Sequence, residues 1–340
     1  MTPRVSLLMP NRDNAPVLEL VLERLAANSR YDDLELVVVD DGSTDGSREI
    51  LRRWRDSGRF PGEFRLIEQE PGGVVEALNK GLAATTGELV VQLDADASVE
   101  TPGWVQRMAD LMQVDPRVGV VTAKIVFDWG ELHTCGVDVV GPEGFHDRGA
   151  EILEPPGHRT YHQRVLRRRD GDCPTCEQPA EVDGGIGCCM MYRREAALEA
   201  GGYDPGWAPV WFDDLDLTMC IRRLGLKCFY LPDVHVIHHV GRRLEDEPAT
   251  KRATTTVRRA MGAALPPRTR KRITQRLNMD HPPREKWDRL QRHYAFWQQK
   301  WGWDMLNPDM DAVLERWGGT EVCWRYDDAL RAAGEEILAR

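Results

Sequence analysis

The stretch Leu89–Asp96, with the sequence LVVQLDAD, decides the fold of this 340-residue chain. Its first residues are apolar apart from Gln92, which is typical of a strand buried in a parallel sheet. Asp94 and Asp96 follow at once, one residue apart. Ligands of open α/β sheets bind at the carboxyl ends of the strands, and carboxylate oxygens suit Mg²⁺ or Mn²⁺. The stretch therefore predicts a metal-binding strand end, although an isolated pair of this kind is also typical of a plain acidic turn.

Strand-like and helix-like segments alternate on both sides of this stretch. Predicted strands cover Val5–Met9, Leu34–Val39, Phe64–Ile67, Leu89–Leu93 and Val118–Val126, and two short ones cover Leu226–Leu231 and Val234–Ile237. Segments with apolar residues at helical spacing separate the first five strands. This alternation is typical of βαβ units, so we expect an α/β fold with a doubly wound, mostly parallel sheet flanked by helices.

The composition limits the classes of protein to consider. Apolar residues make up 41% of the chain and charged residues 29%, with a net charge of −10. A general nucleic-acid binder would show a basic surface, so we expect no nucleic-acid partner. The sequence has no apolar run long enough to cross a bilayer and no signal peptide. These features favour a cytoplasmic protein with at most peripheral contact at the inner face of the membrane.

The pattern divides the chain into regions. Residues 1–241 carry the alternating segments and form the predicted main domain, with an insertion at about 130–181 that is rich in Gly, Pro, His, Arg and Cys. Residues 242–340 are polar, Arg-rich and mostly helical, and form a predicted C-terminal extension. Aromatic residues of the extension, such as Phe296, Trp297 and Trp301, favour packing against the main domain. A pocket wall and a membrane surface are the alternatives for them.

Acidic residues cluster at the ends of predicted elements. The clusters are Asp40 and Asp41 after the second strand, Asp94 and Asp96 after the fourth, and Asp213, Asp214 and Asp216 at the start of a helix. Each cluster alone is explained by a turn or by the preference for acidic residues in a first helical turn. Their combination in one α/β chain favours a shared functional site instead.

Several segments in a fixed order give the chain a resemblance to a known family. They are VSLLMPNRDN (5–14), ELVVVDDGSTDGS (35–47), GGVVEALNKGLAATTGELVVQLDADA (72–97), DGGIGCCMMYRREAALEAGGYD (183–204), WFDDLDLTMCIRRLG (211–225) and VIHHVG (236–241). In order and spacing they resemble the family 2 glycosyltransferases over about residues 4–241. The resemblance implies a GT-A fold whose main domain binds a nucleotide sugar. It also implies transfer of that sugar to an acceptor hydroxyl with inversion at the anomeric carbon.

The resemblance implies which residues bind the donor. Pro10 would line the nucleotide pocket, Asp41 would accept a hydrogen bond from the base, and Asp94 would lie near the ribose. Asp183 would contact sugar hydroxyls. The whole implied set is Pro10, Arg12, Asp41, Lys80, Asp94, Ala95, Asp183, Gly184 and Gly185. The two glycines would let the backbone approach the sugar closely, although a plain glycine-rich turn explains them as well.

Departures from the family pattern bear on the donor. Arg12 stands where the family often has Tyr, and Leu78 stands where a helical arginine is common, so Lys80 is the candidate for a phosphate contact. A UDP-sugar is favoured, with dTDP- and GDP-sugars as alternatives. The acceptor is expected to be a glycan, a lipid-linked sugar or a small molecule.

The resemblance also implies the metal and the base. Asp96 and His238 would hold Mn²⁺ or Mg²⁺ on the diphosphate, with His239 as the alternative to His238. Asp214 would take the proton of the acceptor hydroxyl, and Asp213 would orient the acceptor or the base. The competing explanation of this acidic run is again a helix start.

The insertion contains a second candidate metal site. His158 and His162 are four residues apart, and Cys173 and Cys176 form a CxxC pair, which are spacings found in tetrahedral zinc sites. A loop with free thiols is the alternative, because the eight cysteines do not form a secreted disulfide pattern and reduced thiols are expected.

Two other functions compete with sugar transfer. A sugar nucleotidyltransferase uses a similar sheet but needs a glycine-rich loop after the first strand, and Met9–Asp13 lacks glycine. A catalytically silent nucleotide-sugar-binding or scaffold protein would not need the full set of acids that this chain retains.

Overall fold

A ten-stranded mixed sheet forms the centre of the protein. The computed structural model describes residues 2–141, 143–153, 165–240, 256–257, 260–261, 264–277 and 283–317. In chain order the strands are β1 (Val5–Asn11), β2 (Leu34–Asp41), β3 (Glu63–Gln69), β4 (Leu89–Leu93), β5 (Ala97–Val99), β6 (Val118–Phe127), β7 (Leu132–Thr134), β8 (Val137–Asp138), β9 (His146–Asp147), β10 (Ala150–Ile152), β11 (Val165–Arg167), β12 (Ala180–Val182), β13 (Cys189–Arg193) and β14 (Lys227–His238). The helices are α1 (Ala15–Asn28), α2 (Ser47–Ser57), α3 (Val74–Ala84), α4 (Trp104–Val114), α5 (Arg194–Glu199), α6 (Asp213–Arg223), α7 (Pro267–Arg276), α8 (Arg284–Trp301) and α9 (Met310–Trp317).

The strand order of the sheet is β12-β14-β6-β13-β4-β1-β2-β3, with β5 beside β14 and β7 beside β6. Strands β1 to β4 are parallel neighbours, and β14 runs parallel to β6. Strand β13 is antiparallel and joins these two parallel groups. The predicted doubly wound, mostly parallel α/β sheet is confirmed, and the carboxyl ends of β1, β2 and β4 meet at one edge.

Both faces of the sheet are covered, because neighbouring residues of a strand point to opposite sides. In β1, Leu7 and Met9 belong to the core under α1, α2 and α4, whereas Leu8 belongs to the core under α3, α5 and α6. All three side chains are fully buried. The continuous apolar runs in the sequence are explained by this double coverage.

Strand β14 differs from the expected pair of short strands. It is one strand from Lys227 to His238 that shifts its register against β6 between Leu231 and His235. Pro232 lies within the shift, and proline has no N–H to donate to a ladder. The irregularity therefore absorbs the proline, and the strand continues to the histidine at its end.

The insertion contains more regular structure than its composition indicates. Strand β12 joins the edge of the main sheet beside β14, and β7 pairs with the end of β6. Strand β8 pairs with β9, and β10 pairs with β11. Cys173 and Cys176 are joined by a disulfide, which corrects the expectation that all thiols are reduced. Cys135, Cys188, Cys189, Cys220 and Cys228 are free.

Helix α8 packs against the main domain through aromatic side chains, as expected for the extension. Trp297, Trp301 and Trp303 are buried in the same core as α6. The ring of Phe296 occupies the space where a side chain at position 206 would begin, and Gly206 leaves that space open. Within the described part of the chain, no helix has the length and apolar character needed to cross a membrane.

Candidate active site

A cleft of about 1040 Å³ opens at the carboxyl ends of the parallel strands. The predicted residues that line it are Pro10, Arg12, Asp41, Asp94, Ala95, Asp96 and His238. These residues are up to 228 positions apart in the chain, from Pro10 to His238. The parallel register of β1, β2 and β4 brings their ends to one edge of the sheet.

The two acids at the end of β2, Asp40 and Asp41, each accept several hydrogen bonds. Asp40 is fully buried and accepts hydrogen bonds from Asn11, Ser43 and Arg48, the last at 2.7 Å. Burial favours the neutral form of Asp40, but the hydrogen bonds from Ser43 and Arg48 outweigh it and lower the pKa. This carboxylate ties the loop after β2 to β1 and α2.

Asp41 lies at the floor of the cleft. Its Oδ1 accepts hydrogen bonds from Gln69 Nε2 at 2.8 Å and from Gly72 N at 2.6 Å, and its Oδ2 accepts one from Gly73 N at 2.9 Å. Arg12 adds a longer contact of 3.3 Å. The carboxylate holds the loop that begins α3 against the end of β2.

Asp94, Asp96 and His238 form a cluster in which the ligand atoms all lie within 4.8 Å of one another. The cluster exists because His238 pairs with Ala97 in the antiparallel ladder between β14 and β5. His238 Nε2 lies 3.3 Å from Asp96 Oδ1. Two carboxylates and an imidazole are a donor set that fits Mn²⁺.

The neighbouring histidine points elsewhere. His239 is buried, and its Nε2 lies 2.8 Å from the hydroxyl of Ser98. Its backbone N–H donates to the carbonyl of Asp96. Of the two histidines that the sequence left open, His238 is the one whose ring faces the carboxylates.

Helix α6 begins beside this cluster with an unusual backbone. Trp211 and Phe212 have φ angles of 85° and 67°, which non-glycine residues seldom adopt. Backbone strain of this kind concentrates at functional sites. The next two residues are Asp213 and Asp214, so the strained turn directs both acids.

Asp213 and Asp214 hold their protons more tightly than ordinary aspartates. Burial raises the pKa of Asp214 to about 6, against the hydrogen bonds that it accepts from the N–H groups of Gly187 at 2.6 Å and Leu215 at 2.7 Å. Burial and the charge of Asp214 raise the pKa of Asp213 well above its usual range. The negative charge of Asp94 acts on both in the same direction. With a pKa of about 6, Asp214 is mainly ionised at neutral pH.

Asp216, the third acid of α6, is anchored by the C-terminal helix. It is fully buried and accepts hydrogen bonds from Lys300 Nζ at 2.7 Å and Trp301 Nε1 at 2.9 Å. Lys300 also reaches Asp204. The last turn of α8 is therefore fastened to the first turn of α6.

The sequence matches the family model for glycosyl transferase family 2 over residues 6–200. The chain belongs to this family. The match covers β1 to β13 and α1 to α5, and with them Asp41, Asp94 and Asp96. Asp214 and His238 lie after the matched segment.

Two curated relatives resemble this family 2 chain over about three quarters of its length. The chain is 30% identical to the uncharacterized protein y4gI of Sinorhizobium fredii over 253 residues, 73% of this chain and 26% of that protein. It is 27% identical to the O-antigen biosynthesis protein RfbC of Myxococcus xanthus over 259 residues, 74% of this chain and 18% of that protein. The chain thus spans only about a quarter of the first relative's length and 18% of the second's.

A solved structure shares the fold of the family 2 chain. The mannosyltransferase PcManGT from Pyrobaculum calidifontis, in complex with GDP-Man and Mn²⁺, matches with a TM-score of 0.50 and 21% identity. The match covers 100% of this chain and 81% of that one. The GT-A fold expected from the sequence is confirmed by this likeness.

Four predicted donor residues lie outside the lining of the cleft. Asp183 is buried, accepts hydrogen bonds at 2.7 Å from the N–H groups of both Val139 and Val140, and lies 3.5 Å from Arg222. These contacts hold Asp183 outside the lining of the cleft, and its sugar contact stays a prediction. Lys80 is exposed on α3 and does not line the cleft either.

The two predicted glycines, Gly184 and Gly185, lie against side chains of the protein. A Cβ at Gly184 would lie 2.5 Å from Leu215, and a Cβ at Gly185 would lie 2.8 Å from Thr122. The plain structural explanation of the glycine pair therefore accounts for both positions. Gly187, two residues later, contacts the site through its N–H to Asp214.

The predicted zinc site is not formed by the described residues. Cys173 and Cys176 are bonded to each other, so neither sulfur is a free thiolate for zinc. His158 and His162 lie outside the described residues. The correction has a simple physical cause, because a CxxC turn brings its two sulfurs within bonding range of each other without a metal.

Three residues near the cluster were missed. His133 Nδ1 lies 3.1 Å from His238 Nδ1, and Cys188 donates to Asp94 Oδ2 at 3.2 Å. Arg289 of α8 lines the cleft, and its guanidinium lies 4.9 Å from the ring of Trp211. His133 comes from the insertion and Arg289 from the extension, regions in which no motif pointed to the site.

Proposed function

We propose that this family 2 chain transfers a sugar from a nucleoside-diphosphate sugar to an acceptor hydroxyl with inversion, and that it depends on a divalent cation. One observation carries the proposal. A hard-metal donor set, Asp94, Asp96 and His238, lies next to a carboxylate, Asp214, whose pKa of about 6 suits proton transfer near neutral pH.

On the donor side, Asp96 and His238 are proposed to hold Mn²⁺ or Mg²⁺. The cation, when bound, would stabilise the departing diphosphate. His238 must then keep a lone pair on Nε2, which requires its proton on Nδ1. His133 Nδ1, 3.1 Å away, is placed to accept that proton in a hydrogen bond. His133 is thus proposed as a positioning residue for the metal ligand.

The nucleotide is proposed to lie between Pro10, Arg12 and Asp41. Pro10 and Asp41 line the cleft at the ends of β1 and β2. Arg12 is half exposed and reaches toward the same space. The base of the nucleotide remains open among UDP, dTDP and GDP, with UDP favoured. GDP-Man is the nucleotide sugar bound by the mannosyltransferase that shares the fold.

On the acceptor side, Asp214 is proposed as the base. The N–H groups of Gly187 and Leu215 fix the direction of its carboxylate. Asp213, whose pKa burial also raises, is proposed to orient the acceptor or the base.

Residues 1–241 are proposed as the donor-binding and catalytic unit and 242–340 as an extension that completes its wall. Arg289 and Trp211 bring the extension and the strained turn together at the cleft. A cation beside a half-buried aromatic ring suits a sugar or an anionic acceptor. A glycan, a lipid-linked sugar and a small molecule all remain candidates.

A binding experiment followed by a transfer assay tests the proposal. Melting temperatures are measured with UDP-, GDP-, dTDP- and CDP-sugars, each with Mn²⁺ and with EDTA. We expect one nucleotide to raise the melting temperature only with metal, and Asp96→Ala to lose that rise while the surface variant Asp56→Asn keeps it. NMR of the product identifies the anomer formed.

The alternatives give different results. Release of pyrophosphate from a nucleoside triphosphate and a sugar phosphate would establish a nucleotidyltransferase instead. Metal-dependent binding with no turnover across donors and acceptors would favour a silent binding or scaffold protein. A retained anomeric configuration in the product would contradict the direct displacement.

A further inference from the structure

A thiol and two imidazoles meet on the far side of His238 from Asp96. Cys188 Sγ lies 3.4 Å from His238 Nδ1, and His133 Nδ1 lies 3.1 Å from the same nitrogen. The three ligand atoms all lie within 4.8 Å of one another. They come from β7, from the residue before β13 and from the end of β14, so the sheet itself brings them together.

The geometry matches a tetrahedral metal site. With zinc–nitrogen bonds of about 2.0–2.1 Å and a zinc–sulfur bond of about 2.3 Å, two nitrogens lie about 3.4 Å apart and a nitrogen and a sulfur about 3.6 Å apart. The observed separations of 3.1 Å and 3.4 Å are a few tenths shorter. The two ring centroids lie 5.1 Å apart, so the Nδ1 atoms, at 3.1 Å, are nearer to each other than the ring centres are. A cation between them needs only a small separation of the rings.

We propose that His133, Cys188 and His238 form a second metal site, which takes a thiophilic divalent cation such as Zn²⁺. Thiolate and imidazole ligands favour zinc over Mn²⁺ or Mg²⁺, whereas the carboxylates of Asp94 and Asp96 favour the harder ions. Three protein ligands leave the fourth position for a water molecule. This site is separate from the CxxC pair of the insertion.

Occupation of the second site excludes the metal proposed for catalysis, and this part of the inference rests on the proposed function. A neutral imidazole has one lone pair, so His238 serves either site but not both at once. When Nδ1 binds zinc, the proton of His238 is on Nε2, where it faces Asp96 Oδ1 at 3.3 Å. The Cys188 thiol releases its proton to solvent. Zinc thus removes His238 from the ligands of the proposed catalytic metal, and the Nε2–H of His238 then faces the Asp96 carboxylate.

Spectroscopy separates the two sites without relying on turnover. Metal-free protein is titrated with Co²⁺, which stands in for zinc and shows a near-ultraviolet charge-transfer band when a thiolate binds it. We expect that band in the wild-type protein and in Cys220→Ala, which removes a different free thiol. We expect its loss in Cys188→Ala and a weaker affinity for Co²⁺ in His133→Phe.

A competition experiment tests the exclusion. Mn²⁺ binding is followed by electron paramagnetic resonance at increasing Zn²⁺. In the wild type, the apparent dissociation constant for Mn²⁺ should rise in proportion to free Zn²⁺. In Cys188→Ala and in His133→Phe, much more Zn²⁺ should be needed to raise the apparent dissociation constant for Mn²⁺ by the same factor. Each variant is compared with its own value without zinc. Thermal melting of each variant establishes that it is folded.

The outcomes distinguish the two proposals. If Mn²⁺ does not bind the wild type in the absence of zinc, the proposed catalytic metal site fails, while a cobalt–thiolate band would still support the second site. If zinc competes equally in the wild type and in folded Cys188→Ala, zinc occupies the Asp96 site and the second site is overturned. Simultaneous binding of both ions would overturn the exclusion.

Discussion

Two aspartate pairs of identical sequence, Asp40–Asp41 at the end of β2 and Asp213–Asp214 at the start of α6, lie in different surroundings. Asp40 accepts hydrogen bonds from side chains of three neighbours, and its pKa is lowered. The pKa values of Asp213 and Asp214 are raised, because burial acts on them with few donors to compensate.

The comparison teaches that the surroundings, and not the dipeptide, decide what an acid can do. An ionised carboxylate with all its lone pairs engaged is a structural tie between loops. A carboxylate that gives up its proton only near pH 6 can take a proton from a substrate under neutral conditions. The first pair holds the donor side of the cleft in shape, and the second pair is proposed to do chemistry.

The largest expected effect is on the transfer rate, and it comes from a substitution in the second pair. Asp214→Asn should lower the transfer rate by about 10²–10⁴-fold, because an amide cannot take the acceptor proton. Metal-dependent binding of the nucleotide should persist, since Asp214 is not among the proposed metal ligands. Steady-state kinetics and calorimetric titration measure the two quantities. Asp56→Asn, on an exposed position of α2, is the matched control, and a wild-type rate in Asp214→Asn would contradict the base assignment.

Stability should change in opposite directions at the two pairs. Asp40→Asn should lower the free energy of unfolding by about 2–3 kcal/mol, because it removes an anion that accepts several hydrogen bonds. Asp214→Asn should raise it at neutral pH by about 1–3 kcal/mol, because the pKa is raised and each unit corresponds to about 1.4 kcal/mol. Urea unfolding with unchanged m-values measures both. Equal losses in the two variants would show that the pairs do not differ in this way.

The sequence predicts the frame of the molecule well for physical reasons. The apolar runs of β1, β2 and β4 and the helical spacing in α1 are local patterns that a buried parallel sheet imposes. Asp94 and Asp96 follow directly from such a run. The continuity of β14 was harder to predict, because Pro232 indicates a break between two short strands. In the structure a register shift against β6 absorbs the proline and joins the two expected strands into one.

The site was predicted in part, and the missed residues share a cause. His133, Cys188 and Arg289 reach the cleft or its acids and histidine from the insertion, from the approach to β13 and from α8. No local pattern connects them to the cleft, because only the tertiary arrangement makes them neighbours. Asp183 is the opposite case, since its motif is conspicuous but its carboxylate accepts hydrogen bonds from the backbone of residues 139 and 140, outside the lining of the cleft. Its sugar contact stays a prediction.

The pH dependence sharpens the comparison further, with a smaller effect over the usual working range. Transfer should fall below about pH 6, tenfold per pH unit at the limit, as Asp214 becomes protonated. The sign for stability is opposite at the two pairs. Because the folded pKa of Asp214 is raised, stability is lost as pH rises from its unfolded pKa through about 6. The folded-state pKa of Asp40 is lowered, so Asp40 stabilises the fold above its unfolded pKa. This stabilisation is lost as the pH falls through the folded-state pKa.

The rate and the unfolding free energy are measured on the same buffers from about pH 3 to 8, a window that includes the expected midpoint near 6 and the ordinary pKa of an aspartate, about 3.9. Asp214→Asn should lose the stability change near pH 6 and keep the acid loss that Asp40 contributes. A wild-type rate that stays flat from pH 8 to 5 would contradict the raised pKa as the property that matters for transfer.

The smallest expected effect is at Arg12, on the donor side. Its side chain is 49% exposed and lies 3.3 Å from Asp41, which already accepts three shorter hydrogen bonds. An exposed ion pair of this kind contributes about 0–1 kcal/mol, so Arg12→Ala should change the free energy of unfolding by no more than that. If Arg12 reaches the nucleotide only through this exposed position, the Michaelis constant for the donor should rise by about fivefold or less, which corresponds to the same energy. A much larger rise, with kcat unchanged, would mean that the guanidinium binds the donor directly. The donor side would then contribute recognition as well as a scaffold.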